Sequence, residues 1–262
     1  MKWDPKQYAE FSYHRDRPFH DLTVRITAAD PELVVDLGCG PGPQTHSLAK
    51  RWPAARIIGL DSSAEMIDQA RSTQQAPNLS FEIAEATTWM PDPDTDVLVS
   101  NAMLQWIPNH REIMRGWLDA LAPGAWFVAQ VPGNFGAPSH ALMRKLADSP
   151  RWAPQLSGVL RHDDAVGEPA DYQRLLLAAG YETDVWETTY GQVLLGPDPV
   201  LEWVRGTALR PVLDTLDSED AAVFESQYAE LVAHAYPVFE DPIRGKMTVF
   251  PFRRIFMVGR KL

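Results

Sequence analysis

A short apolar run, Leu33–Leu37, leads directly into the glycine loop Gly38–Gly42 (GCGPG). A run of this length and composition predicts a buried strand, and Pro43 after the loop is typical of the first turn of a helix. Glycines let the backbone turn sharply and let a ligand approach without a Cβ in the way. The segment therefore predicts a strand, a ligand-binding turn and a helix, which is the unit from which parallel α/β sheets are built.

The rest of the first half repeats this alternation. Strands are predicted over 33–37, 56–60, 79–84, 95–100 and 125–131, and helices over 43–52, 64–71 and 109–121. Beyond residue 131 the spacing predicts helices over 140–146, 170–179, 199–213 and 218–235, and strands over 183–195 and 246–258, the last broken by Pro251. Together these segments predict a doubly wound, mostly parallel sheet of seven strands with helical insertions.

Composition excludes several function classes. The formal net charge of -11 repels phosphate backbones, which argues against a nucleic-acid partner. The single cysteine, Cys39, excludes an internal disulfide and a multi-cysteine metal site, and we predict no metal. The N-terminus lacks the pattern of a signal peptide, and apolar runs stay short of the ~20 residues of a membrane helix. We therefore expect a cytoplasmic protein without a membrane partner.

Two carboxylates distinguish the glycine loop from that of a dinucleotide dehydrogenase. The dinucleotide pattern is Gly-x-Gly-x-x-Gly, whereas this loop reads Gly-x-Gly-x-Gly. Asp36 lies two positions before the first glycine, where a carboxylate suits a cationic ligand group better than a pyrophosphate. Asp61 ends the next strand, where its two oxygens can accept hydrogen bonds from ribose hydroxyls.

These motifs resemble the first two motifs of the class I methyltransferases, which use S-adenosylmethionine. The resemblance implies the Rossmann-like fold of that family, with the glycine loop against the methionine part of the cofactor and Asp61 on the ribose. It also implies that Glu85 reaches the adenine amine, although the family more often has Asp there. The cofactor-binding residues implied in this way are Asp36, Gly38, Gly40, Gly42, Asp61, Ser62, Met66, Glu85, Ala86 and Asn101.

Three further segments resemble a family of class I methyltransferases that esterify one carboxylate of a small tricarboxylate. They are the N-terminal segment that begins at Trp3, the Gln105-Trp106 pair and the Arg253-Arg254 pair. Gln105 and Trp106 follow the fourth predicted strand, and ligands of parallel sheets bind beyond the carboxyl ends of the strands. The resemblance implies a small anionic substrate and S-adenosylhomocysteine as the second product.

Local charge supports an anionic substrate independently. Residues 242–262 contain six Arg or Lys and no Asp or Glu, although the whole chain is acidic. Arginine suits carboxylates because its planar fork pairs with them bidentately. Arg253 and Arg254 lie in an apolar strand, where alternation directs one of them towards the ligand. The predicted substrate-binding residues are Tyr8, Arg15, Arg210, Arg253 and Arg254.

A carboxylate acceptor simplifies the predicted chemistry. It is ionised at neutral pH, since its reference pKa is about 4, so methyl transfer to it needs no general base. We therefore predict that Gln105 orients the reacting group and that Trp106 helps to exclude water. If the reaction did require a general base, His14 in the N-terminal segment would be the first candidate.

The predicted organisation is one methyltransferase domain over 1–262. It carries an N-terminal lid segment over 1–29 and cap insertions for substrate binding over 134–167 and 197–245. Alternative hypotheses are a methyltransferase for another small acid or polar metabolite, a non-catalytic cofactor-binding module, an NAD(P)-dependent oxidoreductase and a nucleic-acid methyltransferase. The sequence leaves open the oligomeric state and the carboxylate that reacts.

Overall fold

The computed structural model describes residues 12–73, 76–161 and 163–262. The strands are β1 (Leu33–Leu37), β2 (Arg56–Asp61), β3 (Leu79–Ile83), β4 (Val97–Asn101), β5 (Trp126–Pro132), β6 (Tyr181–Leu195), β7 (Phe239–Asp241) and β8 (Gly245–Lys261). The helices are α1 (Ser12–Thr23), α2 (Pro43–Arg51), α3 (Ala64–Ser72), α4 (His110–Ala120), α5 (Pro138–Ala147), α6 (Ala153–Leu156), α7 (Pro169–Ala178), α8 (Pro199–Arg205), α9 (Arg210–Thr215) and α10 (Ser218–Ala235).

One sheet has the strand order β3-β2-β1-β4-β5-β8-β6, and β7 pairs with β8 beside this path. Strands β1 to β5 pair in parallel, and β8 lies antiparallel to β5. The order reverses between β1 and β4, which is the place where open α/β sheets bind their ligands. The predicted α/β class and mostly parallel sheet are confirmed.

The central strands are apolar because helices cover both of their faces. All five residues of β1 are buried, and Val97, Leu98, Phe127 and Val128 have no exposed surface. Helix α2 begins with Pro43, which has no N–H to leave unsatisfied in the first turn. The side chain of Ser63 caps α3 by accepting a hydrogen bond from the Met66 N–H at 3.3 Å.

The chain divides into two compact units. The first, here called the sheet unit, comprises Arg15–Pro132, Gly167–Thr188 and Arg254–Leu262. The second, here called the helical unit, includes Gly133–Val166 and Thr189–Arg253. Its own core gathers large aromatic side chains such as Trp152, Trp203 and Phe250. Each unit therefore buries its own apolar surface.

The second half of the chain departs from the predicted elements at several places, and helix α6 (Ala153–Leu156) forms where no helix was predicted. Residues 199–213 form two helices, since Gly206 ends α8 and Pro211 stands in the first turn of α9. The prediction that Pro251 breaks the last strand is wrong, because β8 continues through this exposed residue. Proline is tolerated in a strand where the backbone donates no ladder hydrogen bond. An eighth strand, β7, is too short to show an alternating pattern.

Among the described helices, none combines the length and the apolar character that a membrane span requires.

Candidate cofactor and substrate sites

Three glycines shape the loop that follows β1. Gly38, Gly40 and Gly42 have φ angles of 83°, 56° and 88°, in the left-handed region. The N–H groups of Gly38 and Cys39 donate to the Leu60 carbonyl at 2.7 and 2.9 Å. These bonds hold the loop against the end of β2, the strand that carries Asp61.

The three glycines differ in what a Cβ would meet. At Gly38 it would overlap the Met103 side chain, and at Gly42 it would come within 2.6 Å of the Phe81 ring. At Gly40 nothing lies within 4 Å. Gly38 and Gly42 are therefore required by packing, whereas Gly40 leaves the backbone open to a ligand.

Asp61 connects the glycine loop to the start of α3. Its Oδ2 accepts a hydrogen bond from the Gly40 N–H, and its Oδ1 accepts one from the Ser63 N–H, both at 2.9 Å. The carboxylate is half-buried, and each oxygen keeps a second lone pair. Asp61 is thus fixed by the backbone and can still accept from two ligand hydroxyls.

Asp36 is a buried acid behind the loop. Only 2% of it is exposed, and Thr45 donates to its Oδ2 at 2.7 Å. Burial raises the pKa of Asp36 from 3.8 to about 6, the Thr45 hydrogen bond opposes this rise, and the charge of Asp61 adds to it. A positively charged ligand group nearby would favour the ionised form.

The loop after β3 carries Glu85 and Ala86. Ile83 pairs with Asp61 across β2 and β3, so this loop begins beside the end of β2. Glu85 is exposed, and its Oε1 accepts a hydrogen bond from the Thr87 hydroxyl at 3.2 Å. Ala86 is buried. The exposed carboxylate of Glu85 remains accessible to a ligand amine.

The segment after β4 is a strained turn. Ala102 has a φ of 55°, which is rare for a residue with a side chain. The Gln105 amide donates to the Ala102 carbonyl. Asn101 donates to Gln44 Oε1 at 2.8 Å, and its own Oδ1 is buried without a partner among the described residues. Strained backbone with an unsatisfied polar atom is a feature of functional sites.

All the predicted cofactor residues thus lie in the sheet unit, either in β1 or at and just after the carboxyl ends of β1 to β4. Ser62 is exposed, and Met66 is half-buried in the first turn of α3. Gln105 and Trp106 belong to a single 3₁₀ turn, Leu104–Trp106, in which Gln105 is buried and Trp106 half-buried.

The predicted substrate residues are more dispersed. Arg254 is buried and donates to Gln130 Oε1 on β5 at 3.0 Å. Arg210 forms an ion pair with Asp214 of its own helix at 3.0 Å. Arg253 is half-buried in the helical unit. Tyr8 and the side chain of Arg15 lie outside the described residues.

Sequence reasoning missed a group of basic residues in the helical unit. Three of them contact Phe135. Arg144 donates through Nη1 to the Phe135 carbonyl at 2.8 Å, and the His140 ring centre and the Arg161 guanidinium carbon lie 5.4 and 5.7 Å from the centre of the Phe135 ring. One signal could have revealed the group. Residues 138–161 contain four Arg or Lys and a single acid, Asp148, within an acidic chain.

Comparison with known proteins identifies the family. A general methyltransferase-domain family matches residues 34–124, which include the glycine loop and Asp61. A trans-aconitate 2-methyltransferase of Streptomyces coelicolor is 53% identical over 99% of this chain and 86% of its own length. The chain belongs to the trans-aconitate 2-methyltransferase family. A relative of the same name from Streptomyces avermitilis is 51% identical over 99% of this chain and 97% of its own length.

Members of this family are methyltransferases that use S-adenosylmethionine, so the protein is an enzyme with that cofactor. Solved structures support the fold. The YcgJ protein of Bacillus subtilis aligns with a TM-score of 0.60 at 15% identity, over 94% of this chain and 98% of its own. A Haemonchus contortus phosphoethanolamine N-methyltransferase aligns with a TM-score of 0.52 at 13% identity, over 94% of this chain and 52% of its own.

Proposed function

We propose that the protein transfers a methyl group from S-adenosylmethionine to one carboxylate of trans-aconitate, forming the monomethyl ester and S-adenosylhomocysteine. The observation that carries this proposal is sequence identity. The chain is 53% and 51% identical, over 99% of its length, to two proteins named trans-aconitate 2-methyltransferase. The aligned region includes the helical unit as well as the glycine loop. Because a shared fold does not define a substrate, it matters that the likeness extends beyond the cofactor motifs.

Residues of the sheet unit suit this cofactor. Asp61 would accept from the ribose hydroxyls, Asp36 would favour the cationic methionine part, and the bare backbone at Gly40 would allow close approach. Glu85 would accept from the adenine amine. When bound, S-adenosylmethionine supplies a methyl group on a positively charged sulfur, which needs only a lone pair from the acceptor.

A carboxylate acceptor agrees with the state of three histidines of the described residues. Burial lowers the pKa of His46, His110 and His140, the last to about 4. A lower pKa makes each a weaker base. His110 also shares a hydrogen bond of 2.9 Å with the Tyr172 hydroxyl. An acceptor that is already ionised needs none of them.

Gln105 and Trp106 are the residues that we propose to act on the acceptor. The Gln105 amide donates to the Ala102 carbonyl, which fixes its position after β4. A neutral amide can orient the reacting carboxylate without weakening its nucleophilic lone pair as a cation would. Trp106 would exclude water, which strengthens the remaining electrostatic interactions.

The predicted basic residues would hold the carboxylates that do not react. A cation that binds the reacting oxygen too well stabilises the ground state and slows the reaction. Arg253 and Arg254 remain the first proposals, with Tyr8, Arg15 and Arg210 as further ones.

The test is mass spectrometry of trans-aconitate incubated with protein and S-adenosylmethionine. We expect a gain of one methyl group per molecule that mild alkali removes, because an ester hydrolyses and an ether or amine does not. Citrate and crotonate serve as competing acids, and Asp61→Ala as the variant with an impaired cofactor site. Faster methylation of another acid, or a methyl group stable to alkali, would refute the proposed substrate.

A further inference from the structure

The segment between β4 and α4 has strained backbone at both of its ends. Ala102 and Asn109, with φ angles of 55° and 56°, are the two non-glycine residues with a positive φ in the part of the chain that the structure describes. They enclose the 3₁₀ turn Leu104–Trp106, which contains Gln105 and Trp106. Left-handed backbone is unfavourable for a residue with a Cβ, so it persists only where surrounding contacts hold it.

A buried histidine holds the far end of this turn. His110 is the first residue of α4, and only 4% of it is exposed. Burial lowers the pKa of His110, and a hydrogen bond with the Ile107 backbone opposes this effect. A bond that favours the protonated ring is one that the ring donates, so the Ile107 carbonyl accepts it. Ile107 also closes the 3₁₀ turn, since its N–H donates to the Leu104 carbonyl at 3.1 Å.

Tyr172, on α7, completes a chain of hydrogen bonds. Its hydroxyl lies 2.9 Å from His110 Nε2 and accepts a hydrogen bond from the Gly167 N–H at 3.0 Å. Because Nε2 faces Tyr172, Nδ1 is the nitrogen that donates to Ile107, and in the neutral ring Nε2 accepts the tyrosine proton. Tyr172 has no exposed surface, and burial raises its pKa to about 12, so the hydroxyl keeps that proton.

This arrangement requires a neutral His110. Protonation would make Nε2 a donor, and the buried hydroxyl proton of Tyr172 would then lose its acceptor. The charged groups that act on the pair are Arg111, which lowers the pKa of both residues, and Asp171 and Glu168, which raise that of Tyr172. All of these residues belong to the sheet unit, as do Gln105 and Trp106.

A second buried tyrosine bonds the same helix without reaching the turn. Tyr181 is 2% exposed, and its hydroxyl donates to the Leu118 carbonyl near the end of α4 at 3.0 Å. A backbone carbonyl is thus sufficient to satisfy a buried tyrosine against this helix. Tyr172 instead bonds a titratable side chain that reaches back to the residue beside Trp106. The His110–Tyr172 pair therefore connects α7 to the turn that carries the residues proposed to act on the acceptor.

We propose that His110 and Tyr172 are positioning residues for methyl transfer, which hold the 3₁₀ turn so that Gln105 and Trp106 are placed for the acceptor, and that His110 does this only as the neutral ring. The inference rests on the proposed function, because Gln105 and Trp106 act on the acceptor of that reaction. A small displacement of a positioning group can slow a reaction even when the substrates still bind.

Steady-state kinetics of Tyr172→Phe from about pH 5 to 8.5 test this role. The variant keeps the ring but leaves His110 Nε2 without its donor. We expect kcat to fall about 10-fold, the upper end of what one hydrogen bond contributes, while the KM for S-adenosylmethionine stays unchanged. In the wild type kcat should decline only below pH 6.5, the ordinary pKa of histidine, because the pKa of His110 is lowered. In Tyr172→Phe this decline should move to higher pH, since the neutral ring has lost its partner.

His110→Asn is the second variant, and it decides the question if Tyr172→Phe does not fold. Its amide nitrogen can still donate to the Ile107 carbonyl, but the side chain does not titrate. We expect a lower kcat and loss of the decline that His110 causes at acid pH. Saturating S-adenosylmethionine favours the ionised form of Asp36, so the decline reports His110. Affinity for S-adenosylhomocysteine measures whether each variant is folded.

Tyr181→Phe is the matched control, because it removes a buried hydroxyl bonded to the other end of α4. It should lower the melting temperature about as much as Tyr172→Phe, yet keep the kcat and pH profile of the wild type. A folded Tyr172→Phe with the kcat and pH profile of the wild type would overturn the proposed role. An equal loss of kcat in Tyr181→Phe would also overturn it, because the effect would then be one of stability alone.

Failure of this inference can be distinguished from failure of the proposed function. If the wild type methylates trans-aconitate and both Tyr172→Phe and His110→Asn do so with an unchanged kcat, only the positioning role is wrong. If the wild type methylates another acid instead, the proposed substrate is wrong. The same comparison of kcat and pH profile with that acid then decides the role of His110 and Tyr172.

Discussion

Replacement of Asp36 by Asn should stabilise the protein while weakening its cofactor site. Burial raises the pKa of Asp36 from 3.8 to about 6. An acid whose pKa is raised in the folded state stabilises that state fully below its unfolded pKa, and loses this contribution as pH rises through the folded pKa. Between pH 3.8 and about 6 the wild type therefore loses stability that a neutral amide would keep.

The size of the effect follows from the shift. Each pKa unit corresponds to about 1.4 kcal/mol, so a shift of this size corresponds to about 3 kcal/mol at most. Asn has nearly the same shape, and its carbonyl oxygen can still accept the hydrogen bond from Thr45. We therefore expect the cofactor-free Asp36→Asn variant to unfold at higher urea concentration than the wild type at pH 8.

Urea unfolding across pH 4.5 to 8 measures this difference, and calorimetry with S-adenosylhomocysteine measures the opposite effect on binding. The stability gain should shrink as pH falls, because the wild-type carboxyl then becomes neutral too. Cofactor affinity at pH 8 should drop, since the amide carries no charge. Two results would contradict this reasoning: a variant that is no more stable than the wild type at pH 8, or a gain in stability that does not change with pH. Either would show that burial does not destabilise the ionised form of Asp36.

Four further outcomes follow from the site. Gly42→Ala should reduce stability strongly because of the Phe81 clash, whereas Gly40→Ala should cost about 1 kcal/mol in urea unfolding and mainly weaken cofactor binding. Asp61→Ala should lower cofactor affinity in calorimetry by roughly 1.5–3 kcal/mol for each lost charge-assisted bond, and equal affinity in a folded variant would contradict the ribose assignment. Turnover at saturating substrates should be flat from about pH 6.5 to 8.5, and a rise with an apparent pKa near 7 would indicate a general base. Arg254→Ala should lower the melting temperature, since it leaves the buried Gln130 Oε1 without its Arg254 donor, and an unsatisfied buried acceptor costs about 1–3 kcal/mol. An unchanged melting temperature would argue for a role in binding alone.

The sheet unit was predictable because its signals are local. The apolar runs of β1 to β5 alternate with helices that begin at Pro43 or after Ser63, and the glycine loop stands between two of these elements. Each strand boundary lies within two residues of its prediction. The placement of Asp61 beside Gly40 follows from the rule that neighbouring parallel strands end at one edge of a sheet.

The helical unit was less predictable because its contacts join distant parts of the chain. Arg144, Arg161 and Arg253 come from a helix, a loop and a strand, and no spacing rule connects them. Helical periodicity in 199–213 did not show that Gly206 and Pro211 divide this segment, because apolar spacing continues across the break. Local pattern thus predicts elements, whereas the convergence of side chains depends on tertiary packing.

The position of β8 has a consequence for biosynthesis. Its pairing partner β5 is complete long before β8 is made, since Gln130 and Arg254 are 124 residues apart in the chain. At ~5–20 residues per second the ribosome needs roughly 6–25 s for that interval. During this time the apolar edge of β5 exposes unpaired N–H and C=O groups, which invite pairing with other nascent chains. A chain truncated before Arg254 retains the glycine loop but keeps this edge of β5 open, so we expect it to aggregate more readily than the full chain.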